Sequence, residues 1–135
     1  AKVQCDAAAM ISPRMFDRFV VPALAEQCAW LDHSLFHFDG TQALPQLDSL
    51  LAIDALDGIE WTPQISLPQG GDPMWYDLYR RILAAGKSVQ AIDVAAHEVI
   101  PLIEAVGSAG LFIVANVESE AEGRALVEAV ERIRP

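Results

Sequence analysis

Five short apolar runs punctuate the chain, and between them lie longer stretches whose apolar residues recur every three or four positions. The short runs are Val3–Cys5, Ser34–Phe38, Gly58–Trp61, Val89–Asp93 and Leu111–Ala115. Each is too short for a stable helix and ends at or near a turn-forming residue, so each predicts a strand. The longer stretches predict helices. The Ser12-Pro13 pair, an N-cap followed by a first-turn proline, opens one carrying Met15, Phe16, Phe19, Val20, Ala23 and Leu24 and running on towards Leu31, with a kink expected at Pro22. Pro45 opens the next, which carries Leu47, Leu50 and Leu51. A long Pro/Gly-rich loop, Pro63 to Gly71, then leads to an Asp72-Pro73 start and a helix with Trp75, Leu78, Tyr79, Ile82 and Leu83 that stops at Gly86. The fourth is interrupted by Pro101 and stops at Gly107. The last is opened by the capping-box pair Ser119 and Glu122, with Leu126, Val127, Val130 and Ile133 as its stripe.

Strands that alternate with single helices cannot pair through two-residue hairpins, so the pattern predicts an α/β protein whose strands are parallel and joined by right-handed crossovers. Two architectures take five such units. One is a segment of an eight-unit (β/α)8 TIM barrel, and the other an open flavodoxin-like doubly wound sheet. No internal repeat beyond the alternation and no linker appears, so residues 1–135 read as a single domain.

Hydrophobic residues make up 53% of the chain and charged residues 21%, the balance of a packed globular protein. The 9 Lys and Arg against 19 Asp and Glu give a net charge of −10, a field that repels phosphate backbones and anionic lipid. Nucleic acid and membranes are therefore not expected as partners. No apolar run approaches the ~20 residues that span a bilayer, and the N-terminal residues lack the order of a signal peptide, so the expected compartment is the cytoplasm. Cys5 and Cys28 suggest neither a disulfide framework nor a metal knuckle and read as reduced thiols.

In both architectures the ligand site lies at the carboxyl ends of the strands, which directs attention to Asp6, His37, Asp39, Trp61, Asp93 and Asn116. Asp and Asn also serve there as ordinary turn formers and caps. The sharpest pattern is His37-Phe38-Asp39-Gly40. Residues two apart on a strand share a face, so an imidazole and a carboxylate converge on one ion or one substrate group, and Gly40 lets the backbone turn away. His37 and Asp39 thus form a half-site for an ion or a substrate group, with Cys5, Asp6 or Asp93 as sources of a third ligand. The same spacing also suits a hydrogen-bonded His–Asp pair or a loop cap.

The stretch from Cys5 to Gln64, CDAAAMISPRMF through LDGIEWTPQ, resembles the later part of the uroporphyrinogen decarboxylase superfamily, especially its branch related to corrinoid-dependent methyltransferases. The likeness continues through YRRILAAGKSVQAIDV and LFIVANVESEAEGRALVEAVERI. Its most telling piece is an aromatic-rich strand closed by His-x-x-Gly, then a helix and a strand that starts with Gly. The resemblance implies the last five units of a (β/α)8 barrel, without the first three and without the arginines that hold a tetrapyrrole's acidic side chains. It implies methyl-transfer or decarboxylase ancestry, zinc as a possible cofactor, and a small molecule or a corrinoid protein as partner. His37 matches the His of the methyltransferases' zinc-binding His-x-Cys, Asp39 stands where they have Cys, and Asn116 stands where the decarboxylases have a His near the last strand's end. A barrel segment has two open sheet edges and an uncovered inner face. That face is expected to carry apolar side chains such as those of Leu35, Phe36, Phe38, Ile59, Val89 and Ile113, and a homodimer is the expected way of covering it.

Overall fold

The structure is a computed structural model that describes residues 1–133. Five parallel strands form one sheet in sequential order: β1 (Lys2–Gln4), β2 (Leu35–Asp39), β3 (Gly58–Thr62), β4 (Ser88–Ala95) and β5 (Leu111–Asn116). The helices are α1 (Pro13–Phe19), α2 (Val21–Trp30), α3 (Leu47–Leu51), α4 (Tyr76–Ala84), α5 (Val99–Val106) and α6 (Glu120–Ile133). Every crossover steps one strand in the same direction, and a right-handed crossover that never reverses keeps every helix on one face. This is the singly wound order of a barrel segment. A doubly wound sheet reverses its strand order and carries helices on both faces.

Register fixes which residues share a face. Val3, Phe36, Ile59, Val89 and Leu111 lie side by side, and so do Gln4, His37, Glu60, Gln90 and Phe112. The first row and its neighbours Phe38, Trp61, Ala91 and Ile113 turn towards the helices and form the core with Phe16, Leu24, Leu47, Leu50, Tyr79, Ile82 and Leu102. The apolar inner face expected of a barrel segment is therefore not found on β1 to β4, and only Phe112 and Val114 of β5 leave large apolar side chains exposed there. Phe36, Phe38, Ile59, Val89 and Ile113 face the helices, and only Leu35 belongs to the other side, among Lys2, Gln4, His37, Glu60 and Gln90. Period-2 alternation accounts for this, since one buried face takes every second residue and leaves the polar ones opposite.

Three local readings change as well. Pro22 divides the first long helix in two, standing in the first turn of α2, where its missing N–H leaves no donor lost. Pro101 likewise sits in the first turn of α5 and does not interrupt it. In α6 the Ser119 hydroxyl accepts from Glu122 N at 3.2 Å, which is half of the expected capping box, while the Glu122 carboxylate accepts from Glu118 N at 2.6 Å, one residue before the cap. Its stripe is split: Leu126 and Val130 pack on the core, while Val127 is 58% and Ile133 37% exposed.

The Pro63–Gly71 loop is pinned rather than loose. Trp75 Nε1 donates to Pro68 O at 3.0 Å, the buried Tyr79 hydroxyl to Gly70 O at 2.7 Å, and Gly70 N to Ile92 O at 3.2 Å. Burial pushes the Tyr79 phenol well above its ordinary range, so it stays a donor. A Cβ on Gly70 would lie 2.2 Å from the Ile92 carbonyl oxygen, which is why only glycine lets the loop cross β4 there.

Candidate functional site

The polar centre of the uncovered face is built by three strands. His37 on β2 and Glu60 on β3 are direct cross-strand neighbours, and His37 Nδ1 lies 2.5 Å from Glu60 Oε1. From β1, Lys2 Nζ reaches the same carboxylate at 2.9 Å to Oε1 and 2.7 Å to Oε2. The Thr62 hydroxyl, one pleat further along β3, stands 3.3 Å from His37 Nδ1 and 3.5 Å from Glu60 Oε1. The Glu60 side chain is only 5% exposed, so its charge requires compensation. Burial raises the carboxyl's proton affinity, but hydrogen bonds from Lys2 and His37, with their positive charge, outweigh it and hold Glu60 below its ordinary value. An ionised carboxylate only accepts, so Nδ1 of His37 carries a hydrogen and donates it. Nε2 is then the ring atom left free to accept a proton or a ligand.

Gly40 takes φ 74° and donates its N–H to Thr62 O at 2.9 Å, which ends β2 by turning the chain away just beyond Asp39. Alternation places Asp39 on the His37 face, where it is exposed. Asp6, Cys5, His37 and Asp39 border one cavity of about 40 Å³, room for about one water molecule. Asp93 and Asn116 are elsewhere. They meet at 3.4 Å, Asn116 Nδ2 to Asp93 Oδ1, in a larger cavity of about 650 Å³ at the β4 and β5 ends, whose wall includes Gln69, His97, Glu98 and Glu118. Asp93 adopts φ 53° where the β4–β5 register slips between Ala91 and Val94. Trp61 belongs to neither cavity. It is fully buried among Phe38 and Trp75, at ring distances of 5.5 and 4.9 Å, so its place is in the core and not in a strand-end pocket.

The strand-end residues thus fall into two groups on opposite halves of the sheet. Sequence reasoning did not pick out Lys2, Glu60 or Thr62. Glu60 had a signal, a carboxylate between Ile59 and Trp61 in an otherwise apolar strand, which alternation assigns to the His37 face. Lys2 had none, because its partner lies 58 residues away.

Zinc takes four donors in a structural site, or three and a water in a catalytic one. Among the described residues no three His, Cys, Asp or Glu side chains are placed together to hold a metal ion, and His37 Nδ1 is occupied by Glu60. No helix among the described residues is long and apolar enough to cross a membrane. Comparison of the chain with family models, with curated proteins and with solved structures gave no match.

Proposed function

We propose that the chain is a partial-barrel relative of the uroporphyrinogen decarboxylases and corrinoid-dependent methyltransferases, and that its working surface is the Lys2–Glu60–His37 cluster. The order of sequence segments supports the ancestry, and the sequential strand order with helices on one side accords with it. One observation carries the reading of the site: a histidine fixed through Nδ1 by a buried, charge-compensated carboxylate. Such a carboxylate orients the ring and selects its tautomer, which suits Nε2 to hold a polar group of a small molecule or to move a proton. The chemistry is of the methyl-transfer lineage, and its open edges call for a covering partner.

A second reading is a binding or assembly module that keeps the fold without the reaction. It is favoured by the incomplete donor set around His37 and by the separation of the candidate residues into two cavities. Titration of isotope-labelled protein with cobalamin, with a small thiol and with a porphyrin carboxylate separates the two. Shifts confined to His37, Glu60 and Thr62 support the small-molecule site. Shifts centred on Asp93 and Asn116 move it to the second cavity. Silence with all three probes favours the assembly module.

A further inference from the structure

The larger cavity, about 650 Å³ at the carboxyl ends of β4 and β5, falls within the roughly 300–1,000 Å³ of small-molecule sites. Its wall is part apolar and part acidic. Pro68, Ala95, Ala96 and Val117 supply apolar surface, and Asp93, Glu98, Glu118 and Glu122 supply carboxylates. Among the described residues that border it there is no Lys or Arg. The carboxylates come from β4, from the turn before α5 and from the start of α6, and three of them are held in place. Asp93 stands at the register slip of β4 with φ 53°, and a bulge of this kind re-aims a side chain. Its Oδ1 meets Asn116 Nδ2 at 3.4 Å. Glu98 folds back so that Oε2 accepts from Ala95 N at 2.9 Å, in space left by Gly71, where an added Cβ would lie 2.2 Å from the same oxygen. Glu122 Oε2 accepts from Glu118 N at 2.6 Å. Each of these carboxylates has a second oxygen able to accept from a ligand.

We propose that this cavity binds an aliphatic diamine in its doubly protonated form. The site is separate from the His37 cluster and does not rest on it. The spacing of the carboxylates sets the ligand class. No three of the described acidic, His or Cys side chains converge closely enough for one metal ion, so a single point charge cannot use the acidic wall as a whole. Two ammonium groups joined by an alkyl stem can. Each ammonium donates charge-assisted hydrogen bonds to a different carboxylate, and the stem lies on Pro68, Ala95 and Ala96. The floor under the stem is fixed, because the Pro68 and Gly70 carbonyls are held by Trp75 and Tyr79. A wall set before the ligand arrives costs less ordering on binding.

Titration of the isotope-labelled 135-residue chain with 1,4-diaminobutane tests this, at about 150 mM salt so that general attraction to the net charge of −10 is screened. Saturable shifts confined to Asp93, Ala96, Glu98, Asn116 and Glu118 are expected. Butylammonium, with one charge on the same stem, should bind about tenfold more weakly. Asp93→Asn, which keeps a residue tolerant of the left-handed region, should weaken the diamine by about tenfold, and so should Glu118→Gln. Glu128→Gln, on α6 outside the cavity, should leave it unchanged, with circular dichroism confirming that each variant is folded. No saturation below about 10 mM overturns the proposal. So do shifts spread along the acidic surface of α6, and so does magnesium or butylammonium binding the same residues as tightly as the diamine. Saturable binding of a porphyrin carboxylate there, an anion, overturns it as well. His37 responding to its own probes while Asp93 stays silent to the diamine would leave the first site standing and remove this one.

Discussion

Strand β3 and strand β5 belong to one sheet yet live in different surroundings. From Gly58 to Trp61 every residue of β3 is buried, whereas β5 alternates half-buried with exposed along its whole length. β3 has a strand on either side and helices over one face, and its buried carboxylate is balanced by Lys2 and His37. β5 has one neighbouring strand, no charge to compensate, and apolar side chains left in water. A buried charge has to find partners within the chain before the fold is stable, because leaving it alone costs several kcal/mol. Exposed apolar surface carries no such penalty and waits for whatever covers it. The first kind of residue marks where the fold is complete and the second where it is open.

Four substitutions or conditions put this contrast at risk. The largest effect is expected from Trp61→Ala, which removes a fully buried indole from the Phe38 and Trp75 cluster and should cost about 3–5 kcal/mol in urea unfolding. A loss below about 1 kcal/mol would mean the β3 side is not tightly packed. Next, Lys2→Met leaves Glu60 with only the His37 ring and the Thr62 hydroxyl as partners and should cost about 1–3 kcal/mol. That is below the figure for a fully buried pair, because the Lys2 side chain is half exposed.

The pH dependence has a definite sign. The Glu60 carboxyl is held below its ordinary value of 4.5 in the folded chain, so its contribution to stability is fully present above about 4.5 and is lost as pH falls through the lower folded value. The stability gap between the native chain and Glu60→Gln should therefore narrow from pH 6 towards about pH 3. A gap that widens on acidification would reverse the assigned electrostatics. The smallest effect belongs to the other strand: Phe112→Ser should change the unfolding free energy of dilute, monomeric protein by no more than about 0.5 kcal/mol. A larger loss would show that β5 is packed within its own chain.

The sequence displays the elements of this fold well and its long-range encounters poorly. All five strands lie within a residue or two of where apolar runs and turn formers place them, because strand periodicity is a local property. The sense of each face is also local, and Glu60 between Ile59 and Trp61 could have been assigned from alternation alone. The meeting of Lys2 with Glu60 depends on β1 and β3 flanking β2 in register, which no local pattern encodes. The expected interruption at Pro101 missed for a different reason. A proline breaks a helix only in its interior, and Pro101 stands in the first turn of α5, whereas the break expected near Pro22 is present between α1 and α2. The strand-end rule gathered six residues by their position along the chain. It could not say that Trp61 turns to the core or that Asp93 and Asn116 lie in a cavity apart from His37.

The hydrogen bond from Gly70 N to Ile92 O ties the loop after β3 to the strand after α4. With Tyr79 holding the Gly70 carbonyl from behind, that loop stops being an independent surface segment. Its Gly70 amide should then exchange with deuterium at the slow rate of β4, opening only when the strand itself opens, while nearby Ile65, fully exposed, exchanges freely. Loop and strand would register as one cooperative unit. The floor of the larger cavity, formed in part by Pro68 and Gln69, would be as long-lived as the sheet beneath it.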